Sequence, residues 1–383
     1  MKKLVKWIAG TVVVVVLLLV AAAVAVPLLF DPNAHKARIE SMVETEIGRA
    51  LSIEGDISLS LFPWLGFKVG KVTLGNVPEF GDAGFASVQS MELRVRLLPL
   101  LQKQVEMDTV AVDGLTLNLT RTAAGTNNWD DLAAVGEKPA ADAAASPPPI
   151  AALAIGGVRL SNASVRFDDA QNARNLAISN LKLVTGPVAP GRPVQIQTEF
   201  EFAGKPPQTT GRVSFATLLA LDPGAKRYTA EGFRMNATLA GAAVPDGSAT
   251  IEAEGNAVFD EAAKRLQVNG LNLRSNNPAI PGAKGDIGVK GDFIADLASR
   301  EISASRLSIR GDLTGLVPEG QARFELTGSA RANLDSAAVA APDLVLRAES
   351  IAMQGLGGSL EASVGVVGNL EQRRFEFSAV SAS

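Results

Sequence analysis

Few residues in this sequence could carry out catalysis or bind a metal. Among 383 residues there is one histidine, His35, and no cysteine. The chain after His35 therefore offers no Ser-His-Asp triad, no H-E-x-x-H zinc motif and no thiolate site. The glycine-rich stretch 355–358 does not match the G-x-G-x-x-G phosphate-binding pattern. We predict a protein that is not an enzyme, with no catalytic residues, no metal site and no cofactor.

Acidic residues often follow glycine, as in Gly55-Asp56, Gly285-Asp286, Gly291-Asp292 and Gly311-Asp312. Paired carboxylates could support acid–base chemistry, and clustered ones could bind calcium. Because glycine and aspartate both favour turns, we predict that these pairs form turns instead. Asp168-Asp169 is assigned to a solvated turn for the same reason.

The chemistry that the sequence does support is the solvation of hydrocarbon. From residue 51 onward, apolar and polar residues alternate with a period of two, which is typical of strands with one apolar face. Such a face can bind acyl chains if nothing in the protein covers it. The candidate groove-lining residues come from three such strands and are Leu115, Leu117, Leu119, Val194, Ile196, Phe200, Phe202, Phe324 and Leu326.

The composition agrees with a groove lined by small apolar side chains, and it argues against nucleic acid as a partner. Hydrophobic residues make up 47% of the chain but aromatic residues only 5%, so that alanine, valine and leucine supply most of the apolar surface. The net charge is −4, and no basic block follows the N-terminus. Nucleic acid is therefore not expected as a partner.

The first element that would position such a groove is an uncharged apolar stretch at residues 7–30. About 20 apolar residues span a bilayer as a helix, and Lys2, Lys3 and Lys6 precede the stretch. Since short basic flanks stay in the cytoplasm, we predict a cytoplasmic flank at 1–6, a transmembrane helix at 7–30 and a translocated body. A cleaved signal peptide is the alternative, but its apolar core has typically only about 7–15 residues.

A second element is predicted just outside the membrane. Asp31-Pro32 is typical of a helix N-cap followed by a first-turn proline. The apolar residues that follow at helical spacing are Ile39, Met42, Val43, Ile47, Ala50 and Leu51. We predict one amphipathic helix over roughly 33–50, with its apolar stripe packed on the adjacent body rather than on lipid.

Two β-rich regions are predicted, at 31–135 and 150–383. Residues 136–149, rich in alanine and proline, show no strand pattern and are predicted to be a linker or long loop. In the second region Asp222, Asp260 and Asp296 each precede the start of an apolar strand by 11 residues, and these starts recur every 36–38 residues. Short modules that each extend one sheet are typical of a linear array.

The predicted fold class is mainly β: a transmembrane helix and one amphipathic helix, followed by a long, curled, largely antiparallel sheet. One amphipathic helix cannot cover the apolar face of about twenty strands. The sheet therefore either covers itself as a two-layer β-sandwich or remains an open trough, an elongated β-groove shielded by an apolar ligand. Periodicity alone leaves both architectures open.

Several short motifs within residues 30–132 occur in an order found in a known family. They are Phe30-Asp-Pro-Asn33, Gly48-Arg49, Ile53-Glu-Gly55-Asp56-Ile57, Leu59-Ser-Leu-Phe62-Pro63-Trp64, Leu74-Gly75-Asn76, Leu117-Asn118-Leu119 and Asn128-Trp129-Asp130-Asp131-Leu132. Together they resemble the N-terminal region of the AsmA family. The resemblance implies an inner-membrane anchor, a periplasmic β-rich body, and kinship with bridge-like lipid-transfer proteins, whose curled sheets carry phospholipid in an apolar trough. It also implies a link to outer-membrane lipid homeostasis and assembly. It implies no catalytic residue.

We therefore expect a single-pass protein of the bacterial inner membrane, with its N-terminus in the cytoplasm and its body in the periplasm. It is expected to bind or conduct phospholipid along an apolar β-groove and so to support outer-membrane lipid homeostasis. The expected partners are phospholipid, the inner membrane, and other envelope or outer-membrane assembly proteins. The alternative is a structural or assembly factor for outer-membrane proteins, which binds no lipid and acts through partners at its sheet edges.

Overall fold

The computed structural model describes most of the chain after residue 30. The described residues are 31–60, 65–81, 83–95, 106–132, 154–189, 191–277, 282–315, 320–353, 356–369 and 371–382. The predicted flank 1–6, transmembrane helix 7–30 and linker 136–149 lie outside them. Within the described residues, no helix has both the length and the apolar character needed to cross a bilayer. The chain is mainly β-strand and divides into unit 1, Met1–Pro190, and unit 2, Gly191–Ser383.

The predicted amphipathic helix is confirmed, with shorter bounds. Asp31 accepts a hydrogen bond from the Asn33 N–H (2.9 Å) and so caps a 3-10 turn, Pro32–His35. Helix α1, Lys36–Ile47, follows and ends at Gly48, whose left-handed backbone (φ 77°) favours glycine.

The orientation of α1 differs from the predicted one. Lys36, Glu40, Val43 and Ile47 form its half-buried side, whereas Ile39 and Met42 of the predicted stripe are exposed. Polar contacts set this orientation, because Glu40 Oε1 accepts the Ile53 N–H at 2.7 Å and Lys36 lies 3.7 Å from Asp56. The prediction that all the apolar residues of the helix pack on the body is therefore wrong for Ile39 and Met42.

The described part of unit 1 contains ten strands. They are β1 (Leu51–Ile53), β2 (Ile57–Ser60), β3 (Leu65–Val69), β4 (Val72–Leu74), β5 (Ala86–Val88), β6 (Ser90–Val95), β7 (Glu106–Asp113), β8 (Thr116–Arg121), β9 (Ala154–Asp169) and β10 (Arg174–Thr185). A core of Ile53, Ile57 and Val69, supported by Leu51, Phe67 and Val72, lies among the first four strands.

The strands of unit 1 form two branches that meet at β9. One branch pairs β2, β3, β6 and β7 in order, and the other pairs β1, β4, β5 and β8. Strand β9 pairs in parallel with both β7 and β8 and antiparallel with β10. Strands on both sides of the predicted 136–149 linker therefore share one sheet.

The residues described in unit 2 form a meander of eleven strands. They are β11 (Val194–Lys205), β12 (Thr209–Asp222), β13 (Arg227–Gly241), β14 (Ser248–Asp260), β15 (Arg265–Ser275), β16 (Lys284–Asp296), β17 (Glu301–Thr314), β18 (Gln321–Asn333), β19 (Ala338–Met353), β20 (Leu356–Asn369) and β21 (Arg374–Ala382). Each strand pairs antiparallel with the next. In the described part of unit 2, no pairing closes β21 onto β11. Unit 2 is an open sheet, and the two-layer sandwich is not its architecture.

The predicted repeat corresponds to a recurring hairpin turn. The carboxylates of Asp222, Asp260 and Asp296 accept the backbone N–H three residues onward, at 2.8–3.0 Å. In each turn the next residue after that donor has a left-handed backbone. Asn333 and Asn369 begin the same turn after β18 and β20. Because the side-chain oxygen fixes the turn, the same geometry recurs at every second connection.

The 11-residue spacing has a second cause, a row of β-bulges. Bulges lie between Ala230 and Phe233 in β13, Val268 and Leu271 in β15, and Ala304 and Leu307 in β17. The residues that begin each repeat, Phe233, Leu271 and Leu307, are the first residues after a bulge. A bulge bends its strand and increases the local twist. The aligned bulges therefore account for the curl of the sheet.

Replacement of Asp296 by asparagine should make unit 2 less sensitive to acid. The Ser299 backbone N–H, with help from the Arg265 guanidinium, lowers the pKa of Asp296 to about 2. A carboxylate with a lowered pKa stabilises the fold above its unfolded pKa of about 3.9, and this contribution is lost as the pH falls towards 2. Asparagine keeps the turn, as Asn333 and Asn369 do, but cannot titrate.

We expect the urea midpoint of Asp296→Asn at pH 7 to match that of the wild type, because exposed ion pairs contribute little. Between pH 4 and pH 2 the midpoint should fall less than in the wild type. Asp296→Ala, which also removes the turn acceptor, should lower the midpoint at both pH values. An acid dependence in Asp296→Asn equal to that of the wild type would contradict this role for Asp296.

Candidate functional site: the apolar face of unit 2

The two faces of the unit 2 sheet can be followed from β11. Successive side chains of a strand point to opposite sides, so Ile196 and Phe200 point to one side and Gln197 and Glu201 to the other. Directly paired residues of neighbouring strands share a face. The register of the ladders therefore assigns a face to each paired residue up to β21. We call the side that carries Ile196 the apolar face and the opposite side the charged face.

The apolar face consists of continuous rows that cross the strands. One row is Phe200, Val213, Ala237, Ile251, Ser275, Ile287, Gly311, Phe324, Ala348 and Leu360. The next row is Thr198, Phe215, Met235, Ala253, Leu273, Val289, Ile309, Leu326, Leu346 and Ala362. Most of these residues are half-buried, and no charged residue lies on this face in the described part of unit 2.

Six of the nine candidate lining residues lie together on the apolar face. They are Val194, Ile196, Phe200, Phe202, Phe324 and Leu326, of which Val194 is buried and the others are half-buried. The other three lie in unit 1. Leu117 and Leu119 in β8 share a face with Val165 and Phe167 of β9, and Leu115 immediately precedes β8.

The candidate list misses most of the apolar face. Leu273, Val289 and Ile309 lie at the middle of the rows but were not among the predicted lining residues. The alternation that identified β11 and β18 is also present in their strands, β15–β17. In β15 and β17 it is interrupted by the bulges, which shift the side-chain parity within the strand.

Two phenylalanines predicted to line the groove form its floor rather than its walls. A Cβ atom on Gly311 would lie 2.3 Å from Phe324 Cε1, and one on Gly211 would lie 2.6 Å from Phe202 Cε1. Each ring therefore lies against the glycine backbone of its neighbouring strand, an arrangement that shields the glycine in sheets. The rings add apolar surface while leaving the space above them open.

The apolar face also contains a depression of about 240 Å³ near β17–β19. Its lining includes Phe293, Ile302, Ala304, Ala330, Val339 and Leu344. Five of its lining residues are alanines, whose short side chains leave space beside larger residues such as Phe293 and Leu344, and Arg331 is its one charged lining residue. This depression can hold part of a hydrocarbon chain.

The charged face carries ion pairs between neighbouring strands. Arg310 lies 2.9 Å from Glu325, and Arg323 lies 3.4 Å from Asp312. The Arg310 guanidinium lowers the pKa of Glu325. Such exposed pairs contribute little to stability, but they keep this face hydrated. Among the described residues of the whole chain, no group of three or more His, Asp or Glu side chains could hold a metal ion.

The prediction that the Gly-Asp pairs form turns is wrong for three of them. Gly285-Asp286, Gly291-Asp292 and Gly311-Asp312 lie inside β16 and β17, not in turns. Strand alternation places each glycine on the apolar face and each aspartate on the charged face. The prediction of a turn holds for Gly55-Asp56, between β1 and β2.

The prediction for Asp168-Asp169 is half right. Asp169 begins the hairpin turn between β9 and β10 and accepts hydrogen bonds from the Asn172 backbone N–H and side-chain amide, at 3.1 and 2.8 Å. The residue is buried rather than solvated, at 6% exposure.

Unit 1 contains a buried polar cluster that sequence analysis did not predict. Arg49, at 2% exposure, donates two hydrogen bonds to the carboxylate of Asp131, at 2.7 and 2.5 Å, and one to the carbonyl of Asn128. Its guanidinium carbon lies 4.3 Å from the centre of the Phe85 ring. The Arg49 guanidinium lowers the pKa of Asp131. A bidentate, partly desolvated pair of this kind is among the stronger polar contacts in proteins.

Asn128 extends this cluster to strand β8 and to the loop that follows β4. It is fully buried, and its Oδ1 accepts the Thr120 N–H at 3.0 Å. Its Nδ2 donates to the Asn118 carbonyl at 2.9 Å and to Asn76 Oδ1 at 3.2 Å. The motifs Gly48-Arg49, Leu74-Gly75-Asn76, Leu117-Asn118-Leu119 and Asn128-Trp129-Asp130-Asp131-Leu132 thus meet in space. Their shared presence in the family resemblance was the one indication of this cluster in the sequence.

These features define a class of protein: a β-rich chain with an open sheet, one uncharged face, and a buried polar cluster near its N-terminal helix. The chain belongs to the AsmA family, whose profile matches residues 1–367. It is similar to Protein AsmA of Escherichia coli (strain K12), with 21% identity over 360 residues. The match covers 93% of this chain and 55% of the relative, so the chain spans about half the length of that curated protein. No solved structure matches the chain.

Proposed function

We propose that the apolar face of unit 2 binds phospholipid acyl chains while their head groups remain in water. The observation that carries this proposal is the absence of charge along the described rows of an open sheet. An apolar surface left in water is unfavourable, and each CH₂ group that is buried contributes about 0.8 kcal/mol. A bound acyl chain would shield this apolar surface from water.

The continuity of the rows suggests how lipid would move. Strands lie about 4.8 Å apart, so eleven strands present apolar rows about 48 Å long. Neighbouring positions in a row differ little in polarity, and a chain can shift along them without entering water. We propose a non-enzymatic, inner-membrane-anchored periplasmic protein that binds or conducts phospholipid in support of outer-membrane lipid homeostasis.

A pair of adjacent residues provides the test. Leu326 and Thr327 are both half-buried but lie on opposite faces of β18. In two separate variants of the full chain, a photoreactive amino acid would replace Leu326 or Thr327. Each variant would be expressed in bacterial cells, which would then be illuminated. Adducts would be identified by mass spectrometry. We expect phospholipid adducts at Leu326, and at least about tenfold fewer at Thr327 since a strand alternates its faces.

The identity of the adducts also distinguishes lipid binding from the alternative function. If the protein is an assembly factor for outer-membrane proteins, adducts at Leu326 should be protein and not lipid. Equal lipid labelling at the two positions would show non-specific contact and would overturn the proposal.

Substitution of Gly311 by valine should reduce lipid labelling at Leu326. The new side chain would occupy the place of the Phe324 ring, whose Cε1 lies 2.3 Å from the added Cβ. The ring would have to swing away from the floor and into the space above it. We expect labelling at Leu326 to fall several-fold while the protein still folds, because a phenylalanine ring can change rotamer.

The matched control is Gly288→Val in the neighbouring strand. Gly288 lies on the charged face, and a Cβ there meets only the Leu273 carbonyl oxygen at 3.7 Å. This variant should label at Leu326 as the wild type does. Equal labelling in Gly311→Val and the wild type would mean that the Phe324 floor does not border the lipid.

A further inference from the structure

The charged face carries a row in which the sign of the charge alternates from strand to strand except at one position. In order of register the row is Glu252, Arg274, Gly288, Arg310, Glu325, Arg347 and Glu361. Opposite charges on directly paired positions attract each other. The pairs Arg310–Glu325 and Arg347–Glu361 form ion pairs at 2.9 and 3.0 Å. An acidic residue at position 288 would complete the alternation.

The backbone does not require glycine at this position. Gly288 does not have a left-handed backbone. A Cβ atom added to it would meet only the Leu273 carbonyl oxygen at 3.7 Å, an ordinary van der Waals contact. Gly311, by contrast, is needed for the close approach of Phe324. The effect of Gly288 is to leave an open space between two arginines.

That space belongs to a cavity of about 800 Å³. Arg274, Lys290 and Arg310 line it. The side chains of Arg274 and Lys290 make no hydrogen bond or ion pair among the described residues, although Glu252 lies beside Arg274 in the row. Lys290 is two residues from Gly288 in the same strand and so shares its face.

The cavity also contains acidic residues, most of them already engaged. Asp312 is bound by Arg323, and Glu325 by Arg310. Glu349 lies 3.7 Å from Arg323. Among the described residues, the side chains of Asp286 and Glu252 make no hydrogen bond or ion pair. Asp286 lies two residues from Gly288 in β16, opposite Lys290 along the strand, and Glu252 lies in the row beyond Arg274. Across the strands the gap has an arginine on each side, Arg274 and Arg310, and no acidic side chain in its place.

A second observation indicates a ligand with a hydrogen-bond donor. Asn272 lines the same cavity and is paired in register with Lys290. Its Oδ1 atom is buried and has no hydrogen-bond partner within the described structure, while its Nδ2 donates to Glu254 at 2.8 Å. A buried acceptor without a donor is unfavourable, and rotation of this amide towards the cavity would let an O–H or N–H group of a ligand satisfy it.

We propose that this cavity binds a phosphate ester, whose phosphate takes the place of the missing acidic side chain between Arg274 and Arg310. Guanidinium groups bind phosphate oxygens in a forked geometry, and Lys290 would add a third positive charge. The hydroxyl or amino group of the same ligand would donate to Asn272 Oδ1. Most of the residues that line this cavity, including all of its charged ones, lie on the charged face, so the site is distinct from the acyl-chain groove proposed for the apolar face.

The test substitutes glutamate for Gly288, which should place an acidic side chain of the protein itself between Arg274 and Arg310. Thermal unfolding of the full chain in detergent would be followed with inorganic phosphate, glycerol 3-phosphate or chloride at equal ionic strength. For the wild type we expect both phosphates to raise the unfolding midpoint relative to chloride, because a ligand of the native state stabilises it. Gly288→Glu should have a raised midpoint in chloride and bind phosphate at least about tenfold more weakly.

Gly288→Gln is the matched control, because it fills the gap without adding charge. It should weaken phosphate binding without raising the midpoint in chloride. The proposal is overturned if the wild type does not respond to either phosphate, or if Gly288→Glu responds as the wild type does.

A further arm distinguishes the sources of the phosphate group. Vesicles of phosphatidylglycerol mixed with phosphatidylcholine would be compared with soluble glycerol 3-phosphate as competitors for the site. Competition by the soluble ester alone indicates a soluble ligand, and competition by both indicates a lipid head group. Photolabelling by lipid at Leu326 should be unchanged in Gly288→Glu, so failure of this site is distinguishable from failure of the acyl-chain groove.

Discussion

Replacement of Asp131 by alanine should destabilise unit 1 by about 3 kcal/mol. The substitution leaves the guanidinium of Arg49 at 2% exposure without its counter-charge. Breaking a buried ion pair from one side typically costs about 3–5 kcal/mol, and we take the lower end because the Asp131 side chain is 35% exposed. At a typical slope of about 2 kcal/mol per molar urea, the midpoint would fall by roughly 1.5 M.

Hydrogen exchange would locate this effect. Amides of β8 and β9 in unit 1 should lose protection, whereas those of unit 2 should keep it, because the two units are separately compact. Asp130→Ala is the matched control, since the exposed Asp130 carboxylate accepts hydrogen bonds, among the described residues, from nearby Asn127 alone, at 2.9 Å. It should have a much smaller effect.

A double variant, Arg49→Met with Asp131→Ala, tests whether the unpaired charge of Arg49 causes the loss of stability. Methionine removes the unpaired charge and keeps much of the volume, so part of the lost stability should return. If the double variant is no more stable than Asp131→Ala alone, the cost does not come from the unpaired charge.

Replacement of Ile302 by aspartate should remove most phospholipid from the purified protein. Ile302 lines the depression on the apolar face and is 38% exposed. A carboxylate there would have to lose water when an acyl chain covered it, at a cost of several kcal/mol. Since every ~1.4 kcal/mol is tenfold in affinity, we expect at least about a tenfold loss of bound lipid.

The chain offers a close control for this substitution. Ile294 is also an isoleucine and also 38% exposed, but it lies on the charged face, paired with Ser303. Ile294→Asp should therefore keep the wild-type amount of lipid. The measurement is the mass-spectrometric ratio of phospholipid to full-length protein after purification in the same detergent. Equal losses in the two variants would argue against a face-specific groove.

The two faces of unit 2 would then have separate tasks. The apolar face would hold hydrocarbon, and the charged face would remain in water and offer a polar site at Gly288. Both tasks depend on the sheet staying open. The Asx turns and the row of bulges hold that geometry without a second layer.

Sequence alone determined the elements and the character of their faces. Alternation with a period of two predicted β11, β14 and β18, because a strand exposes successive side chains to opposite sides. Asp31-Pro32 predicted the start of the helical segment, and the spacing of Asp222, Asp260 and Asp296 predicted the repeat. These are local properties, set by neighbouring residues and by short-range backbone chemistry.

Tertiary structure decided which residues lie opposite one another. Only the register between strands placed Arg274 and Arg310 on either side of Gly288, and only the bulges explained why apolar parity shifts within β15 and β17. Arg49 meets Asp131 across 82 positions of sequence, a distance that no local pattern reports. Whether the sheet closes or remains open is likewise a property of long-range pairing, because a single strand has the same alternation in a sandwich and in an open trough.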